Sequence, residues 1–266
     1  PMKYDGTIVK MESTCTNPVT YHLPVGDDYI PISNYIGKYI SLEFRGDIFC
    51  IGCGRKTSKS FAQGYCYPCM LSSPETSECI LRPELCQAHR GVARDMSWAR
   101  NHCLTEHVVY LSITSGLKVG VTRASQIPTR WIDQGARSAI RLAETPNRYE
   151  AGLIEVALKQ TVSDRTIWQR MLKDEYPADI DLKAEKNRLI SLLPHKLKSL
   201  ASKDDEITDI EYPVEEYPKK VKGTTFDREN EIFGVLWGIR GQYLMFDDGR
   251  VLNIRRHNGY YLRIEL

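Results

Sequence analysis

Alternating apolar and polar positions predict antiparallel strands towards both ends of the chain. Residues 39–44 read Tyr-Ile-Ser-Leu-Glu-Phe, which has the two-residue period of a strand with one buried face. Residues 217–266 contain four short apolar runs, and Asp-Gly and Asn-Gly dipeptides at two of the junctions are typical of tight hairpin turns. We therefore expect a small β-barrel or meander at the C-terminus, with N-terminal strands as candidates to complete it.

A second strand pattern lies in the middle of the chain and predicts a β-hairpin. Residues 107–113 and 117–122 are strand-like runs joined by a three-residue loop that ends in Gly116. Glycine in the last position of such a loop favours a register in which residues 113 and 117 face each other. This register places Tyr110 and Lys118 on the same face as diagonal neighbours, whereas a two-residue turn would place them on opposite faces.

Helical patterns follow this hairpin. We expect a first helix from Pro128 to Gly135, a second over about 148–160 with an apolar face, and a third that is capped by Ser163-Asp164. An amphipathic helix over about 181–201 lies in a stretch, residues 174–216, that has twelve acidic and six basic residues. This acidic stretch is a candidate contact for a protein partner.

These patterns predict an α+β fold of five segments. The segments are the N-terminal strands that pack with the C-terminal barrel (1–49), a zinc-binding region (50–106), a central antiparallel sheet with helices (107–173), the acidic helix and linker (174–216), and the small barrel (217–266).

Composition narrows the class of protein. Apolar residues make up 42% of the 266 residues and charged residues 26%, which is enough to form a buried core. No apolar run reaches the roughly 18–20 residues of a membrane span, so we expect no membrane contact. The first residues carry no secretory pattern, so we expect a cytoplasmic protein with reduced thiols. The net charge of +2 says nothing by itself about nucleic acid.

Clustered cysteines predict the first of two zinc sites. Cys50-x2-Cys53 and Cys66-x2-Cys69 are separated by twelve residues, which is the spacing of a zinc ribbon. Two such turns present four thiolates to one ion, and four thiolates complete a tetrahedron around Zn²⁺. A redox pair is the alternative, but it would need a thioredoxin-like βαβ context that the sequence lacks.

A second zinc site is predicted downstream. Cys79, Cys86, His89 and Cys103 form a Cys₃His set. His102 and His107 compete with Cys103 for a place in it, and ordinary buried cysteines and histidines are the alternative. Closed four-ligand sites of this kind stabilise a fold and do not by themselves catalyse a reaction.

The central segment resembles the GIY-YIG nuclease domain. The resemblance rests on a strand with Val109-Tyr110, a hairpin into Lys-Val-Gly-Val-Thr-Arg, a helix with an arginine and a later helix with a glutamate. It is nearest to the phage-type branch, in which Lys-Ile-Gly replaces Tyr-Ile-Gly. Cys-Gly-Arg-Lys-Thr, Arg-Pro-Glu-Leu-Cys and Pro-Thr-Arg-Trp-Ile-Asp-Gln-Gly also make the whole chain similar to an uncharacterised bacterial zinc-cluster family of unknown function.

The nuclease resemblance implies roles for four residues. Tyr110 would help to activate the attacking water, and Lys118 would lie near the nucleophile or the scissile phosphate. Arg130 would neutralise charge on the phosphate in the transition state. Glu155 would hold a single divalent ion, Mg²⁺, which takes oxygen ligands and keeps several waters. Without the resemblance, each is an ordinary core or surface residue.

Basic residues favour nucleic acid as the partner. Residues 107–172 have nine basic residues against five acidic ones. The basic residues that we select for contact with nucleic acid are Arg123, Arg240, Arg255 and Arg256. We expect a zinc-containing protein that binds DNA or RNA and cleaves it with Mg²⁺. The alternatives are a non-catalytic nucleic-acid-binding module and a protein-interaction scaffold with a degenerate nuclease fold.

Overall fold

The computed structural model describes all 266 residues and has a mixed α+β fold with several sheets. Its strands are β1 (Lys3–Thr7), β2 (Glu12–Thr14), β3 (Thr20–Val25), β4 (Asp28–Ile30), β5 (Tyr39–Phe49), β6 (Lys56–Thr57), β7 (His107–Ile113), β8 (Leu117–Arg123), β9 (Ser138–Thr145), β10 (Ile207–Asp209), β11 (Lys222–Thr224), β12 (Glu231–Arg240), β13 (Tyr243–Phe246), β14 (Arg250–Asn253) and β15 (Tyr260–Glu265). Its helices are α1 (Tyr67–Ser72), α2 (Met96–His102), α3 (Thr129–Asp133), α4 (Arg148–Lys159), α5 (Trp168–Met171), α6 (Leu182–Leu192) and α7 (His195–Lys198).

The chain forms two compact units. Unit 1 consists of residues 1–71, 172–174 and 210–266, and unit 2 consists of residues 72–171 and 175–209. The first cysteine cluster therefore belongs to unit 1. The second cluster and the predicted catalytic residues belong to unit 2.

An eight-stranded sheet is the framework of unit 1. Its order is β1-β15-β5-β12-β13-β14-β11, with β6 paired to β5. The N-terminal strand β5 lies between β12 and β15 and pairs antiparallel with both. Ile40 and Leu42 of this strand are buried while Tyr39 is exposed, which confirms the predicted one-sided strand.

Of the predicted barrel or meander, the closed barrel is wrong. β1 and β11 stand at the two ends of the sheet and do not pair with each other, so the sheet stays open. Barrel closure would require the C-terminal strands to pair into a ring. Instead β5 lies between β12 and β15, while β12 also pairs with β13 and β15 also pairs with β1.

A four-stranded antiparallel sheet with the order β10-β9-β7-β8 is the framework of unit 2. Ile113 faces Leu117 and Tyr110 faces Gly120, so the hairpin register predicted from Gly116 is confirmed. β7 is buried along its whole length because β8 and β9 pair with its two edges and apolar side chains pack on it.

Helices α4 and α6 contribute to the core of this sheet. The core cluster contains Leu111 of β7, Ile154 and Leu158 of α4, and Leu182 and Leu189 of α6. The acidic stretch thus places the apolar face of its helix in the core of its own unit. Its acidic residues are partly paired as well, since Asp205 contacts the amine of Lys186 at 2.8 Å.

Capping residues account for the ends of these helices. The side chain of Asn147 accepts a hydrogen bond from the backbone N–H of Glu150 at 2.9 Å, so α4 begins at Arg148, close to the predicted position. The helix predicted over 181–201 is shorter than expected, because α6 ends at Leu192 and Pro194 cannot continue it. The third predicted helix, α5, has only four residues.

Candidate functional site

The first cysteine cluster is formed by two tight turns of unit 1. Cys50 and Cys53 follow the end of β5, and Cys66 and Cys69 lie at the start of α1. The ligand atoms of the four cysteines lie within 4.8 Å of one another, and the sulfurs of Cys53 and Cys66 are 3.8 Å apart. Four sulfurs this close could hold one zinc ion in tetrahedral coordination.

Backbone groups favour the thiolate form of Cys50 in this cluster. The N–H of Gly52 donates to its sulfur at 3.3 Å. Burial raises the pKa of the Cys50 thiol, but backbone N–H groups of Cys66, Cys53 and Gly52 outweigh it and lower the pKa to about 6. Since the thiolate is the metal ligand, this environment suits zinc.

The second cluster brings together three cysteines of unit 2. Cys79 and Cys86 belong to short 3₁₀ turns or their ends, and Cys103 ends α2. Their ligand atoms lie within 4.8 Å of one another. All three line a hollow of about 290 Å³. Three sulfurs could hold zinc and leave a fourth position for another ligand.

The three candidate histidines lie outside this group of three sulfurs. The ring of His89 stacks on Tyr149 with the centroids 4.3 Å apart. His102 stacks on Trp98, and its Nδ1 is 2.8 Å from the carbonyl oxygen of Trp98. Nδ1 of His107 is 2.7 Å from the carbonyl oxygen of Thr105. The predicted Cys₃His set is thus assembled in its cysteines, while the His89 ring packs against an aromatic ring.

A buried polar cluster in unit 2 contains all four residues with predicted catalytic roles. It consists of Tyr110, Lys118, Arg130, Gln134 and Glu155. Tyr110 is fully buried in the middle of β7. A Cβ at the facing Gly120 would lie 2.5 Å from the Tyr110 hydroxyl oxygen, so only glycine leaves room for this side chain.

Gln134 connects Tyr110 to Arg130. Its amide nitrogen donates to the Tyr110 hydroxyl at 2.7 Å, and its amide oxygen accepts from Nε and Nη2 of Arg130 at 3.2 and 3.1 Å. Sequence reasoning did not select Gln134 as a site residue. The sequence signal that could have identified it is its spacing from Arg130, because residues four apart on a helix such as α3 have neighbouring side chains.

Lys118 is a buried cation without a carboxylate partner. Its side chain extends from β8 with 7% of its surface exposed, and no carboxylate oxygen lies within ion-pair distance of its amine. Burial and, to a smaller extent, the positive charge of Arg130 lower the pKa of Lys118 to about 8, against opposing effects of Asp164 and Glu155. Such a perturbed pKa is more frequent at functional sites than elsewhere.

Glu155 has a carboxylate oxygen without a hydrogen-bond partner. Oε2 is buried and unsatisfied, and the nearest cation is Lys159, whose Nζ lies 3.8 Å away and also contacts Asp164 at 3.0 Å. Burial raises the pKa of Glu155, and the charges of Asp164 and Glu84 raise it further. This oxygen therefore has one long ion pair with Lys159 and no hydrogen bond to satisfy it.

Glu84 is a second residue that sequence reasoning missed. It lies in the 3₁₀ turn Pro83–Leu85, which packs on α4 so closely that a Cβ at Gly152 would meet the Glu84 nitrogen at 2.2 Å. Its Oε2 is also buried without a hydrogen-bond partner. No sequence pattern connects Glu84 with Glu155, because packing between distant segments brings them together.

The four arginines predicted to contact nucleic acid differ in exposure. Arg240 is 1% exposed and forms an ion pair with Asp174 at 2.7 Å, so it is not a surface contact and its predicted role is corrected to a structural one. Arg123 and Arg255 are half-buried. Arg256 is exposed, although its guanidinium lies 3.4 Å from Asp227.

Comparisons with known proteins identify a family without an assigned activity. The model of a family described as a protein of unknown function, DUF2797, matches residues 37–262, so the chain belongs to this family. No curated protein and no solved structure matches the chain. None of its helices is long and apolar enough to cross a membrane.

Proposed function

We propose that this member of the DUF2797 family binds nucleic acid and hydrolyses a phosphodiester bond at the polar cluster of unit 2. The observation that carries the proposal is the convergence of Tyr110, Lys118, Arg130 and Glu155: Gln134 links Tyr110 to Arg130, and the charges of Arg130 and Glu155 act on both Tyr110 and Lys118. The GIY-YIG resemblance independently assigns catalytic roles to the same four residues.

The chemistry of the cluster suits this reaction. Phosphodiester hydrolysis develops negative charge on the phosphate, and the cations of Lys118 and Arg130 would oppose that charge. Gln134 orients Arg130 and Tyr110 towards each other. In this proposal the Tyr110 hydroxyl helps to orient the attacking water. Mg²⁺ held by Glu155 would act as a Lewis acid on the phosphate.

A cleavage assay tests the proposal. Labelled single-stranded DNA, duplex DNA and structured RNA are incubated with the zinc-loaded protein in Mg²⁺ or in EDTA. Cleavage should require Mg²⁺ and should fall at least about 100-fold in Glu155→Gln and Tyr110→Phe, because each removes one contribution to the transition state. Glu185→Gln is the matched control, since Glu185 is a half-buried acidic residue of α6 outside the cluster and pairs with Arg188.

Burial of the cluster favours a second candidate function, non-catalytic nucleic-acid binding. Tyr110 has no exposed surface, and Lys118 and Glu155 are each 7% exposed, so only the half-buried Arg130 and Gln134 of the cluster are open to a substrate. In that case Glu155→Gln binds nucleic acid as the wild type does, and no substrate is cut. Metal-dependent cleavage that Glu155→Gln abolishes would exclude this second function.

A further inference from the structure

A groove of about 660 Å³ lies beside the first cysteine cluster in unit 1. Three cysteines of the cluster form part of its wall: Cys53, Cys66 and Cys69. The rest of the wall includes three basic and two aromatic side chains, which are Arg55, Lys56, Lys59, Phe61 and Tyr67. We call it the ribbon groove. Neither the predicted zinc site nor the predicted catalytic residues account for these five side chains.

The ribbon groove is positively charged. Three of its lining residues are basic and none is acidic. Lys56 pairs with Asp47 at 2.6 Å, whereas Arg55 and Lys59 form no ion pair and are exposed. Two cations without an acidic partner on one wall attract an anionic ligand.

Two aromatic rings lie among these cations. The rings of Phe61 and Tyr67 meet edge to face, with centroids 5.5 Å apart and planes 61° apart. Tyr67 is 54% exposed, so a large part of its ring is in contact with solvent. The Lys59 amine is 5.2 Å from the centroid of Phe61. An exposed ring beside a cation offers stacking and charge to the same ligand.

Local backbone structure holds the groove in place. Phe61 and Tyr65 exchange two backbone hydrogen bonds of 2.8 Å around a turn in which Ala62 and Gln63 both have positive φ, at 46° and 60°. Side-chain-bearing residues rarely adopt this conformation, and they retain it where the surroundings determine it. β6 pairs with the end of β5 on the other wall. The aromatic rings are therefore pre-positioned for binding, which reduces the entropy that a ligand must overcome.

We infer that the ribbon groove is a binding site for single-stranded nucleic acid, with bases stacked on Tyr67 and Phe61 and phosphates held by Arg55 and Lys59. Stacked bases must be unpaired, which is why the ligand is a single strand and not a duplex. The inference rests on the proposed nucleic-acid function and adds a site that lies outside the polar cluster.

The groove also reaches a residue that the sequence analysis selected. Ser58 and Lys59 line both the ribbon groove and an adjoining hollow of about 310 Å³, and Arg256 lies in that hollow. A nucleic-acid strand whose phosphates contact the side-chain cations of the ribbon groove could thus continue from Lys59 to Arg256. An acidic peptide would use the same cations but would gain little from the exposed aromatic rings.

Fluorescence anisotropy with labelled oligo-dT and oligo-U tests the inference on the 266-residue Glu155→Gln protein, in which the proposed cleavage would not consume the probe. Tyr67→Ala should weaken binding by about 5- to 100-fold, the loss expected for one stacked base, while Tyr67→Phe should bind as tightly as the parent. The double variant Arg55→Ala/Lys59→Ala should reduce the slope of log affinity against log salt by about 1.4. The control is Lys219→Ala/Lys220→Ala, which removes two exposed cations of the same unit that lie outside the groove. Its affinity for the oligonucleotide and the salt dependence of that affinity should stay close to those of the parent.

Two results would overturn the inference. The first is equal affinity of Tyr67→Ala and the parent, with zinc content unchanged in both. The second is displacement of the oligonucleotide by a poly-glutamate peptide at equal charge concentration, which would reassign the groove to acidic peptides. Because binding and cleavage are measured separately, binding without any cleavage in the wild type would remove the proposed catalysis and leave the groove intact.

Discussion

One cysteine cluster and one buried cation in each unit differ in how complete their set of partners is. In unit 1, four cysteines converge, and the buried guanidinium of Arg240 pairs with Asp174 and contacts Tyr217. In unit 2, three cysteines converge, and the buried amine of Lys118 has no carboxylate partner. A complete set stabilises a fold, while an incomplete one lowers stability and leaves room for a ligand. The comparison therefore predicts a structural role for Arg240 and a ligand-binding role for Lys118.

The largest expected effect concerns the two cysteine clusters. Cys66→Ser should lower the zinc content by one ion per chain and expose the segment around residues 50–71 to proteases, because a structural zinc contributes on the order of 10 kcal/mol to folding. The measurement is zinc content by mass spectrometry together with limited proteolysis. Cys15→Ser is the control, since Cys15 is exposed and belongs to neither cluster.

Chelator titration compares the clusters directly. The three-sulfur cluster should release its zinc at a lower chelator concentration than the four-sulfur cluster, because it has one thiolate fewer. Native mass spectrometry of Cys66→Ser and Cys103→Ser shows which ion leaves first. Earlier release from the four-sulfur cluster would contradict the distinction between complete and incomplete sets.

The next effect concerns the paired cation of unit 1. Arg240→Met should lower the free energy of unfolding by about 3 kcal/mol, because it leaves the carboxylate of Asp174 without its buried partner. Chemical denaturation measures this change. Arg263→Met is the matched control, since Arg263 pairs with Asp5 at 3.0 Å but both side chains are about 40% exposed, and it should cost less than about 1 kcal/mol. Equal losses in the two variants would show that burial does not distinguish the pairs.

The unpaired cation of unit 2 should respond in the opposite direction. Lys118→Met should raise the free energy of unfolding at neutral pH by about 1–3 kcal/mol, because it removes a charge that burial disfavours. Lys186→Met is the control, because the amine of Lys186 is equally buried but lies 2.8 Å from Asp205, so its replacement should destabilise the protein. A destabilising Lys118→Met would mean that Lys118 is a structural residue.

The pH dependence of stability sharpens this prediction. The pKa of Lys118 is about 8 in the folded protein against 10.5 for an ordinary lysine. Between these values the unfolded chain binds a proton that the folded chain has released, so stability from this group rises with pH from about 8 to 10.5. Wild-type protein should show this rise in thermal melting, and Lys118→Met should lack it.

The smallest expected effect concerns His257, a buried histidine of unit 1 with both ring nitrogens hydrogen-bonded. Nδ1 lies 2.7 Å from the carbonyl oxygen of Asn253, and Nε2 accepts from the N–H of Phe226 at 3.3 Å. Burial lowers the pKa of His257 below its ordinary 6.5, so stability should fall as pH drops below that value. His257→Gln should reduce this slope in thermal melting between pH 7 and 5, and the exposed His195→Gln should not change it.

Local sequence determined the elements whose partners are close along the chain. The loop ending in Gly116 specified the register of the β7–β8 hairpin, and the spacing of two Cys-x2-Cys turns specified a four-sulfur cluster. Asn147 specified the start of α4. Each depends on backbone geometry over a few residues, which residue type and spacing are sufficient to define.

Tertiary structure alone decided the features that join distant segments. The sequence indicates that N-terminal strands join the C-terminal ones, but not that β5 lies between β12 and β15, nor that β1 and β11 stay unpaired and leave the sheet open. Nor does any pattern indicate that Arg240 is buried against Asp174, or that Glu84 lies close enough to raise the pKa of Glu155. Such contacts depend on which surfaces exclude water together, and that choice is made by the whole chain because hydrophobic burial has no directional preference.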